Sequence, residues 1–515
     1  MALGGYVAAV DVARVRVLHR PLLLGVVGVT LLGAILRLSS LGSQSIWLDE
    51  ATTASYLHES FGGMVAAVWS KEATPPLYFI VVWLWSHVFG PTAVGLRSLS
   101  ALFGIATIPV TFLAGRELFS RRAGLVAAAL VAANPLYFHY SQEARAYAML
   151  DFLCALALLG FARVLRTQAR RDWLLWFVAS VLAVATHYFA GFFVAPLAVW
   201  LLIRCRNWMS FAWVAALGVV CVAAIPAAAH QRPSGGTNFI PAIALWSRVQ
   251  GIAQSPLVGD QGSPVSRKVW VSALVALAAV TIYGLRSGGP YRRNAIMLAS
   301  IGLATLALPL IVAAAGTDEV IARYVQTAWI PLLLVLAASL TSRSGQAARF
   351  LMIGTTVALC ATGTALAVTE AGDPGRQRDD WRAYVPLVID GAVQPAATVL
   401  SPALDAAAYL YYAPHSTTLP RSGALVRELD VVYVYPHGAE PPLLKVIAPN
   451  AFLVGNPPLA RIVAPPGFVV RATQTDDRLT LVRLIARSPR RITPRTLRAL
   501  TFSKSGPIVL LDQHG

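Results

Sequence analysis

Eleven long apolar runs dominate this chain and restrict the folds it can adopt. A helix needs about 20 mostly apolar residues to cross the hydrocarbon core of a bilayer, and most of the runs approach that length. The runs cover residues 20–41, 95–116, 123–139, 146–164, 173–188, 189–203, 208–229, 268–286, 294–315, 323–341 and 350–369. Charged residues make up only 13% of the 515 positions. The sequence therefore predicts an all-α polytopic membrane protein.

The basic residues predict how the spans are oriented. They lie in clusters between alternate apolar runs, and short loops rich in Lys and Arg stay on the cytoplasmic side. The clusters are Arg116, Arg121 and Arg122; Arg163, Arg166, Arg170 and Arg171; Arg204 and Arg206; Arg286, Arg292 and Arg293; and Arg343 and Arg349. Placing all of them inside predicts about eleven spans, with the N-terminus inside and the C-terminus outside. The net charge of +18 thus does not indicate a nucleic-acid partner.

One apolar run, PPLYFIVVWLWSHVFG at residues 75–90, is too short to span. Counting it as a crossing would place the cluster at residues 163–171, and every later cluster, outside. Its Tyr and Trp content suits an interfacial or re-entrant helix instead. We therefore predict a large first external loop over residues 42–94. The other predicted external segments are residues 140–145, the turn near His187, a Pro/Gly-rich loop at residues 230–267, and residues 316–322.

The pattern changes after residue 370, where long apolar runs stop and charges become more frequent. Short β-branched or alternating stretches appear (ATVLS, DVVYVYP, GFVVRAT and LTLVRLI) around a helical ALDAAAYLYY. Such a mixture predicts a small α/β domain. We predict a transmembrane domain over residues 1–369 and an extracytoplasmic α/β domain over residues 370–515.

The N-terminal run and the cysteines carry no further signal. Arg14, Arg16 and Arg20 precede a run that is long for a signal peptide and lacks a clear cleavage site, so an uncleaved first helix is predicted. The four cysteines lie in apolar runs or at the end of one, which indicates neither a disulfide framework nor a metal cluster. They are Cys154, Cys205, Cys221 and Cys360.

The stretch SIWLDEATTASY, residues 45–56, places Asp49 and Glu50 just after the first span. One interpretation is structural, because the stretch has the pattern of a short amphipathic helix, whose cap and first turn favour acids. The other is catalytic: a carboxylate beside Trp47 at the membrane edge can act as a general base on an acceptor hydroxyl. Adjacent side chains diverge, so only one of the two acids is expected to face a site.

Further polar residues fall at the external ends of other spans. Several of them also have a structural interpretation. Lys71 could be a surface charge or pair with Glu72, and Glu143 could be a first-turn acid of a helix that starts near Ser141. The arginines could extend to the membrane surface by snorkelling, and His187 could simply be a turn residue. The candidate substrate-binding residues are Lys71, Tyr140, Glu143, Arg145, Tyr147, His187, Arg323 and Tyr324.

Under the predicted topology these side chains all lie on one face of the membrane, which indicates an external polar cavity at the lipid interface. A lipid-phosphate leaving group needs cations rather than a general acid, because phosphate leaves as a stable anion. The acceptor hydroxyl needs a carboxylate base. This combination fits glycosyl transfer from a polyprenyl-phosphate sugar, with inversion if a single displacement occurs.

Four segments carry a family resemblance: IWLDEATTASY, KEATPPLYFIVVWLWSHVFG, LRSLSALFGIATIPVTFLAGRELFSRRAGLVAAALVAANPLYFHYSQEARAYAML and ARYVQTAWIPLLLV. They resemble the polyprenyl-phosphate-sugar-dependent glycosyltransferases of the GT-C fold. The branch is similar to protein O-mannosyltransferases and to the aminoarabinose transferase of lipid A. The resemblance is strongest over residues 40–165, looser to about residue 340, and absent from residues 370–515.

The resemblance implies roles for individual residues. It makes Asp49 the catalytic base with Glu50 as its motif partner, and it places Lys71 near the donor phosphate or the acceptor. Glu143 and Arg145 match a second external motif near the active site. Arg323 and Tyr324 match the Arg-Tyr pair at the head of a later span, whereas His187 has only a loose counterpart.

Several points stay open at the level of sequence. A divalent cation (Mg²⁺ or Mn²⁺) is required by some relatives, and Asp49 or Glu143 could ligate one. The expected donor sugar is mannose, with arabinofuranose second, and the acceptor is a cell-envelope glycan, glycolipid or protein. Residues 370–515 are expected to help bind it. A transporter or flippase of lipid-linked sugars is the alternative, disfavoured because no internal repeat is visible, and a partner-binding membrane scaffold is a third.

Overall fold

The computed structural model describes residues 3–233, 236–237, 239–259, 265–286, 291–342, 345–372, 380–401, 406–434, 464–475, 479–493, 497 and 508–512. The chain divides into two compact units. Unit 1 consists of Met1–Leu41 and Ser60–Asp373, and unit 2 of Gly42–Glu59 and Pro374–Gly515. Unit 1 is helical, and unit 2 contains a six-stranded sheet.

The helices of unit 1 follow the apolar runs closely. They are α1 (Leu3–Leu38), α3 (Phe61–Lys71), α4 (Leu77–Phe89), α5 (Ala93–Leu118), α6 (Arg121–Ala133), α7 (Pro135–Ser141), α8 (Tyr147–Thr167), α9 (Arg170–Thr186), α10 (Ala190–Cys205), α11 (Trp208–Gln231), α12 (Leu245–Val258), α13 (Arg267–Leu285), α14 (Arg292–Ala314), α15 (Ala322–Val325), α16 (Trp329–Leu340) and α17 (Gln346–Gly372). Single 3-10 turns occupy Ile240–Ala242 and Gln326–Ala328. In unit 2 the helices are α2 (Leu48–Tyr56), α18 (Trp381–Ile389) and α19 (Ala406–Tyr412).

The polytopic class predicted from the sequence is confirmed. Within the described residues, eight helical stretches are long and apolar enough to cross a bilayer, and a ninth arises if α6 and α7 form one bent span. Helices α9 and α10, with 17 and 16 residues, are shorter than a typical span. The total of eleven spans therefore stays a prediction.

Two sequence expectations about helix boundaries need correction. The run at residues 123–139 is two helices rather than one, because Asn134 and Pro135 end α6 and start α7 at an angle of 59°. The predicted Pro/Gly-rich loop at residues 230–267 contains α12, a helix of 14 residues. Most of its glycines and prolines lie before or after α12, and the helix accommodates Gly251 and Pro256 within it.

Small residues bring the central helices of unit 1 close together. A Cβ on Gly115 of α5 would lie 2.7 Å from the Cα of Gly124 on α6, and one on Gly160 of α8 would lie 2.6 Å from the backbone N of Trp176 on α9. Close approach through glycine is the usual way that membrane helices gain packing contacts, since lipid supplies no hydrophobic driving force between them. This packing fixes α5 against α6 and α8 against α9.

The sheet of unit 2 confirms the predicted α/β character. Its strands are β1 (Ala396–Ser401), β2 (Thr417–Thr418), β3 (Ala424–Val434), β4 (Phe468–Thr475), β5 (Leu479–Ile492) and β6 (Ile508–Asp512). Their order is β2-β6-β1-β3-β5-β4, and only the β1–β3 pair is parallel. The four strands expected from the sequence correspond to β1, β3, β4 and β5, whereas β2 and β6 were not expected.

The core of unit 2 is apolar but encloses a charged group. Glu428 on β3 is fully buried, and its carboxylate pairs with Arg483 at 2.9 Å and Arg471 at 3.1 Å. Arg483 also contacts Asp430 at 3.3 Å and donates to the carbonyl of Leu387 on α18 at 2.5 Å. Because a buried carboxylate is costly unless it is paired and hydrogen-bonded, this network fixes α18 against the sheet.

Candidate functional site

Short helix α7 begins at a sharp bend that its own residues build. The Oδ1 of Asn134 accepts hydrogen bonds from the N–H groups of Leu136 at 3.0 Å and Tyr137 at 3.4 Å. Pro135 occupies the first helical position, where no N–H donor is needed. The bend carries Tyr140 and the segment that follows it into the interior of unit 1, since every residue of α7 is buried.

Arg37, which the sequence reasoning did not single out, holds this bend in place. Its buried guanidinium donates to Ser141 Oγ at 3.0 Å and to the carbonyls of Ala132 at 2.9 Å and Val131 at 3.3 Å. The bend deprives those carbonyls of their helical partners, and Arg37 satisfies them. A lone arginine within an apolar run was the available signal.

Arg145 lies in the turn between α7 and α8 and forms the main ion pair of the candidate site. Its guanidinium contacts both carboxylate oxygens of Glu72, at 2.9 and 3.3 Å, and lies 5.6 Å from the ring centre of Phe79. The two charged side chains are only 11% and 8% exposed. A two-point pair of this kind fixes the guanidinium plane. Glu72 thus pairs with Arg145.

Four rings converge beside Arg145. Tyr147 at the start of α8 lies 4.8 Å from Tyr140 and 6.0 Å from His187, and His187 lies 4.8 Å from Tyr324. The guanidinium of Arg323 lies over the rings of Tyr147 and Tyr324, at 5.9 and 5.6 Å from their centres. A cation over aromatic faces is stabilised by their negative electrostatic potential. The structure therefore brings together six candidate residues from α7, α8, α15 and two turns: Tyr140, Arg145, Tyr147, His187, Arg323 and Tyr324.

His187 offers a buried hydrogen-bond donor to this cluster. Its Nδ1 accepts from the backbone N–H of Phe189 at 3.2 Å, which assigns the proton of the neutral ring to Nε2. That Nε2 has no hydrogen-bond partner among the described residues. Burial, followed by the positive charges of Arg145 and Arg323, lowers the pKa of His187 from 6.5 to about 3. The imidazole is therefore neutral at pH 7, and its unpaired N–H suits an anionic or hydroxylated ligand.

Glu143 lies beside a buried histidine rather than at a helix cap. Helix α8 begins at Tyr147 with Ala146 as its N-cap, so the expected first-turn role of Glu143 is wrong. Its Oε2 is 3.8 Å from Nε2 of His139, whose Nδ1 contacts Oε1 of Glu370 on α17. The helix that was predicted to start near Ser141 is absent, because α7 ends at Ser141 and the next helix, α8, starts at Tyr147. Glu143 thus belongs to a second polar group just behind Tyr140.

Further polar residues that sequence reasoning missed organise the loops around the cluster. Gln231 at the end of α11 accepts from the hydroxyl of Tyr188 at 2.6 Å and donates to the carbonyls of Val68 and Thr74, both at 3.2 Å. Burial raises the pKa of Tyr188 to about 12. Arg248 on α12 pairs with Asp318 at 2.5 Å, an interaction that lowers the pKa of this acid. Gln231 thus ties the turn at residues 187–189 to the segment before α4, and Arg248 ties α12 to the segment before α15.

Lys71 lies outside this cluster, as the exposed last residue of α3, one position before Glu72. The other two candidate residues belong to unit 2. Asp49 and Glu50 both occupy the first turn of α2, with Trp47 as the N-cap. The side chain of Glu50 is 1% exposed, whereas Asp49 is partly exposed. The N-cap alternative for Asp49 is therefore wrong, and a first-turn acid remains compatible with the helix dipole.

The start of α2 is held by two residues of the C-terminal segment within unit 2. The hydroxyl of Tyr412 accepts from the N–H of Ile46 at 2.8 Å and lies 3.1 Å from Ser45 Oγ. The guanidinium of Arg382 donates to the carbonyls of Gly42 and Gln44, both at 3.1 Å. Helix α2 itself packs against α19. The segment with the acid pair is thus fixed through backbone groups, which no side-chain pattern in the sequence reveals.

The sequence left open whether Asp49 or Glu143 ligates a divalent cation. No group of three or more His, Cys, Asp or Glu side chains among the described residues is positioned to ligate one.

An apolar cavity of about 740 Å³ lies between α6, α12, α13, α14, α16 and α17 in unit 1. Its lining is mostly apolar and includes Trp329, Asn134 and Pro135. Trp329 also packs against the cluster of Tyr140, Tyr147 and Tyr324. Its indole Nε1 has no hydrogen-bond partner among the described residues. The cavity and the polar cluster thus share a wall.

Comparison with known proteins supports the fold. Residues 73–230, from just before α4 to α11, match the family model of the dolichyl-phosphate-mannose-protein mannosyltransferases. Crystal structures of ArnT from Cupriavidus metallidurans, one bound to undecaprenyl phosphate and one in the apo state, each match with a TM-score of 0.55 at 14% identity. The match covers 89% of this chain and 97% of ArnT.

The oligosaccharyltransferase of Archaeoglobus fulgidus in its apo form also matches, with a TM-score of 0.46, 13% identity, and coverage of 72% of this chain and 58% of that one. Curated proteins yield no match by sequence. The chain therefore has the GT-C glycosyltransferase fold, and the resemblance to ArnT and to the protein O-mannosyltransferases that the sequence indicated is confirmed.

Proposed function

We propose that this protein transfers a sugar from a polyprenyl-phosphate donor to a hydroxyl group of an acceptor. The observation that carries the proposal is the shared wall between the aromatic-cationic cluster and the apolar cavity. Two guanidiniums and a buried N–H donor of His187 supply what a phosphate needs. The cavity of about 740 Å³ supplies an aliphatic surface for an isoprenoid chain. ArnT, which has the same fold, was crystallised with undecaprenyl phosphate.

In this proposal the cations stabilise the leaving group. As the bond from the anomeric carbon to the phosphate oxygen breaks, negative charge grows on the phosphate, and Arg323 and Arg145 offset it in a largely desolvated setting. Glu72 orients Arg145 without cancelling the positive charge of Arg323. The aromatic rings of Tyr140, Tyr147 and Tyr324 exclude water and offer faces on which a sugar ring can stack.

We assign the general base to Asp49, on the strength of the sequence resemblance. It removes the proton of the acceptor hydroxyl while that oxygen attacks the anomeric carbon, and a single displacement of this kind inverts the configuration. Its partial exposure in the first turn of α2, beside a buried Glu50, supports Asp49 rather than Glu50 as the acid that meets substrate. Lys71 is proposed to contact the donor phosphate or the acceptor.

Mannose is the proposed donor sugar, and arabinofuranose is the second candidate. The description of the matching family model supports mannose. The proposed acceptor is a hydroxyl of a cell-envelope glycan, glycolipid or protein, and the proposed location is the extracytoplasmic face of the plasma membrane. The basic clusters between alternate apolar runs support this orientation, because such clusters stay on the cytoplasmic side. Unit 2 is proposed to contribute to acceptor binding.

The deciding experiment incubates the purified protein with polyprenyl-phosphate mannose, arabinofuranose and glucose, and measures released polyprenyl phosphate by mass spectrometry. We expect one donor to be consumed and the product to have inverted configuration. Asp49→Asn should lower the rate by at least about 10³-fold, because the general base and its charge are lost together. The matched control Glu59→Gln, which changes an exposed acid of the same unit, should keep the rate within twofold.

Full activity of Asp49→Asn would refute the assignment of the base. Movement of an intact donor across a liposome bilayer, with no release of polyprenyl phosphate, would instead identify a flippase and refute glycosyl transfer.

A further inference from the structure

A second, basic pocket lies at the other end of the helix bundle of unit 1. It has a volume of about 380 Å³ and is formed by the C-terminal ends of α5, α8 and α10 and the N-terminal end of α14. Tyr147 of the candidate site is the first residue of α8, and Arg166 of this pocket lies in its last turn. A helix of 21 residues measures about 30 Å, so the pocket lies roughly one membrane thickness from the candidate site.

The charges of the pocket are unbalanced. Arg166, Arg204 and Arg293 line it, and Glu117 is its single acid. The carboxylate of Glu117 is 3% exposed and already pairs with Arg166 at 2.8 Å and with Arg116 at 2.9 Å. In the part of the chain that the structure describes, no ion pair or hydrogen bond involves the guanidinium of Arg204 or Arg293. Among the described residues, these two positive charges therefore have no directly paired acid in the pocket.

Helix dipoles explain only part of this charge. A cation is favourable at a helix C-terminus, which suits Arg166 and Arg204. Arg293, however, lies in the first turn of α14, where the dipole disfavours a cation. An anion in the pocket would reverse that cost. The position of Arg293 is thus compatible with a negatively charged ligand in the pocket.

The walls of the pocket are fixed and partly apolar. Trp200 of α10 donates to Ser300 Oγ of α14 at 3.0 Å, and Asn294 of α14 donates to the carbonyl of Leu118 at 2.6 Å. Leu165, Ile203 and Met297 supply aliphatic surface beside the arginines, and Ile203 is 55% exposed on the outside of the bundle. A ligand with a phosphate and an adjoining acyl chain could contact both the arginines and the aliphatic side chains of the pocket. A free phosphate could contact only the arginines.

We propose that this pocket binds the phosphate headgroup of an anionic bilayer lipid at the membrane face opposite the candidate site. Arg204 and Arg293 contact the phosphate, Glu117 positions Arg166 beside them, and Ile203 and Leu165 contact the first acyl carbons. Basic pockets between membrane helices bind such headgroups, and each nearby cation adds to the attraction. The ligand is a membrane component and not the sugar donor.

Native mass spectrometry of the full chain in detergent, with equimolar phosphatidylglycerol and phosphatidylcholine, tests the proposal. The wild type should retain one phosphatidylglycerol with at least about tenfold preference, and the double variant Arg204→Gln/Arg293→Gln should lose about tenfold or more of that affinity. The matched control is Arg206→Gln/Arg292→Gln, which removes the same charge from neighbouring exposed residues that do not line the pocket. The control should change the affinity less than twofold.

Two outcomes overturn the proposal. Equal losses in the two double variants would show a general basic surface rather than a pocket. If millimolar inorganic phosphate displaces the bound lipid completely and stabilises the wild type but not Arg204→Gln/Arg293→Gln, the site takes soluble phosphate instead. Sugar transfer is not part of either measurement, so the result does not depend on the proposed function.

Discussion

Arg323 is the cation most embedded in aromatic surroundings in the candidate site. Its guanidinium lies over the rings of Tyr147 and Tyr324, whose electron-rich faces help to orient it. We therefore expect Arg323 to contribute to stabilisation of a departing phosphate.

Arg323→Gln should lower kcat/KM for the sugar donor by about 10²- to 10³-fold, the usual effect of removing one preorganised group that stabilises developing negative charge. The measurement is the rate of polyprenyl phosphate release at subsaturating donor. Arg267→Gln is the matched control, because Arg267 also lies over an aromatic ring, that of Trp246 at 6.0 Å, away from the site. A rate for Arg323→Gln within threefold of the control would contradict the role.

His187 makes the stability of the folded protein depend on pH, and this dependence can be measured without substrate. The unfolded chain protonates this imidazole near pH 6.5, whereas the folded protein keeps it neutral down to about pH 3. The unfolded state thus binds more protons between these values, and the folded state loses stability as the pH falls from 6.5 toward 3. The wild type should show a lower thermal midpoint at pH 4.5 than at pH 7.

In His187→Gln this part of the acid dependence should disappear, so that its thermal midpoint changes less over the same pH interval. His58→Gln, a change of an exposed histidine, should retain the full wild-type dependence. Parallel curves for the wild type and His187→Gln would show that the imidazole is protonated in the folded state, contrary to the assignment.

At the scale of elements, α2 depends on backbone contacts from α18 and α19. Tyr412→Phe removes the hydroxyl that accepts from Ile46, and should speed amide exchange at residues 46–50 and lower kcat while leaving KM for the donor within twofold. Hydrogen-exchange mass spectrometry and steady-state kinetics measure the two effects. Tyr411→Phe is the neighbouring control and should alter neither. Faster exchange with unchanged kcat would mean that the acid pair does not need this support.

The elements themselves were largely predictable from sequence, because each long apolar run can satisfy its backbone in a membrane only as a helix. The bend at Asn134 was missed because the apolar run continues through it, although an Asn-Pro dipeptide is a turn signal. Strand β6 was missed since it is short and lies after a long stretch without periodicity. Its place between β1 and β2 follows from pairing over more than 90 residues, which local pattern does not encode.

For the candidate site, the sequence identified the site residues themselves better than the residues that hold them in place. Five of the predicted residues lie close together in the structure, as the positions of the basic clusters and the family resemblance suggested: Tyr140, Tyr147, His187, Arg323 and Tyr324. Glu72, Gln231 and Arg37 were not assigned to it, because their importance comes from contacts with distant backbone or with a residue 73 positions away. Long-range hydrogen bonds of this kind leave no periodic trace in a single sequence.

At the scale of the whole molecule, the candidate site and the basic pocket of unit 1 are connected by the same helices. Tyr147 begins α8, and Ser100 in the N-terminal half of α5 donates to the carbonyl of Arg145 at 3.4 Å, whereas the C-terminal ends of both helices line the basic pocket. Their close packing through Gly115 and Gly160 makes them rigid connections. A lipid bound at one end would thus fix helices whose other ends carry Arg145 and Tyr147.

Unit 2 is discontinuous, and this sets an order of events during synthesis. The acid pair emerges from the ribosome early, but Tyr412, which holds Ile46, follows 366 residues later. At roughly 5 to 20 residues per second, α2 waits about 20 to 70 s for its partner. Throughout the insertion of the later spans, the segment with Asp49 and Glu50 lacks the contacts that fix it. The acid pair can reach its final conformation only after all of the described transmembrane helices have been made.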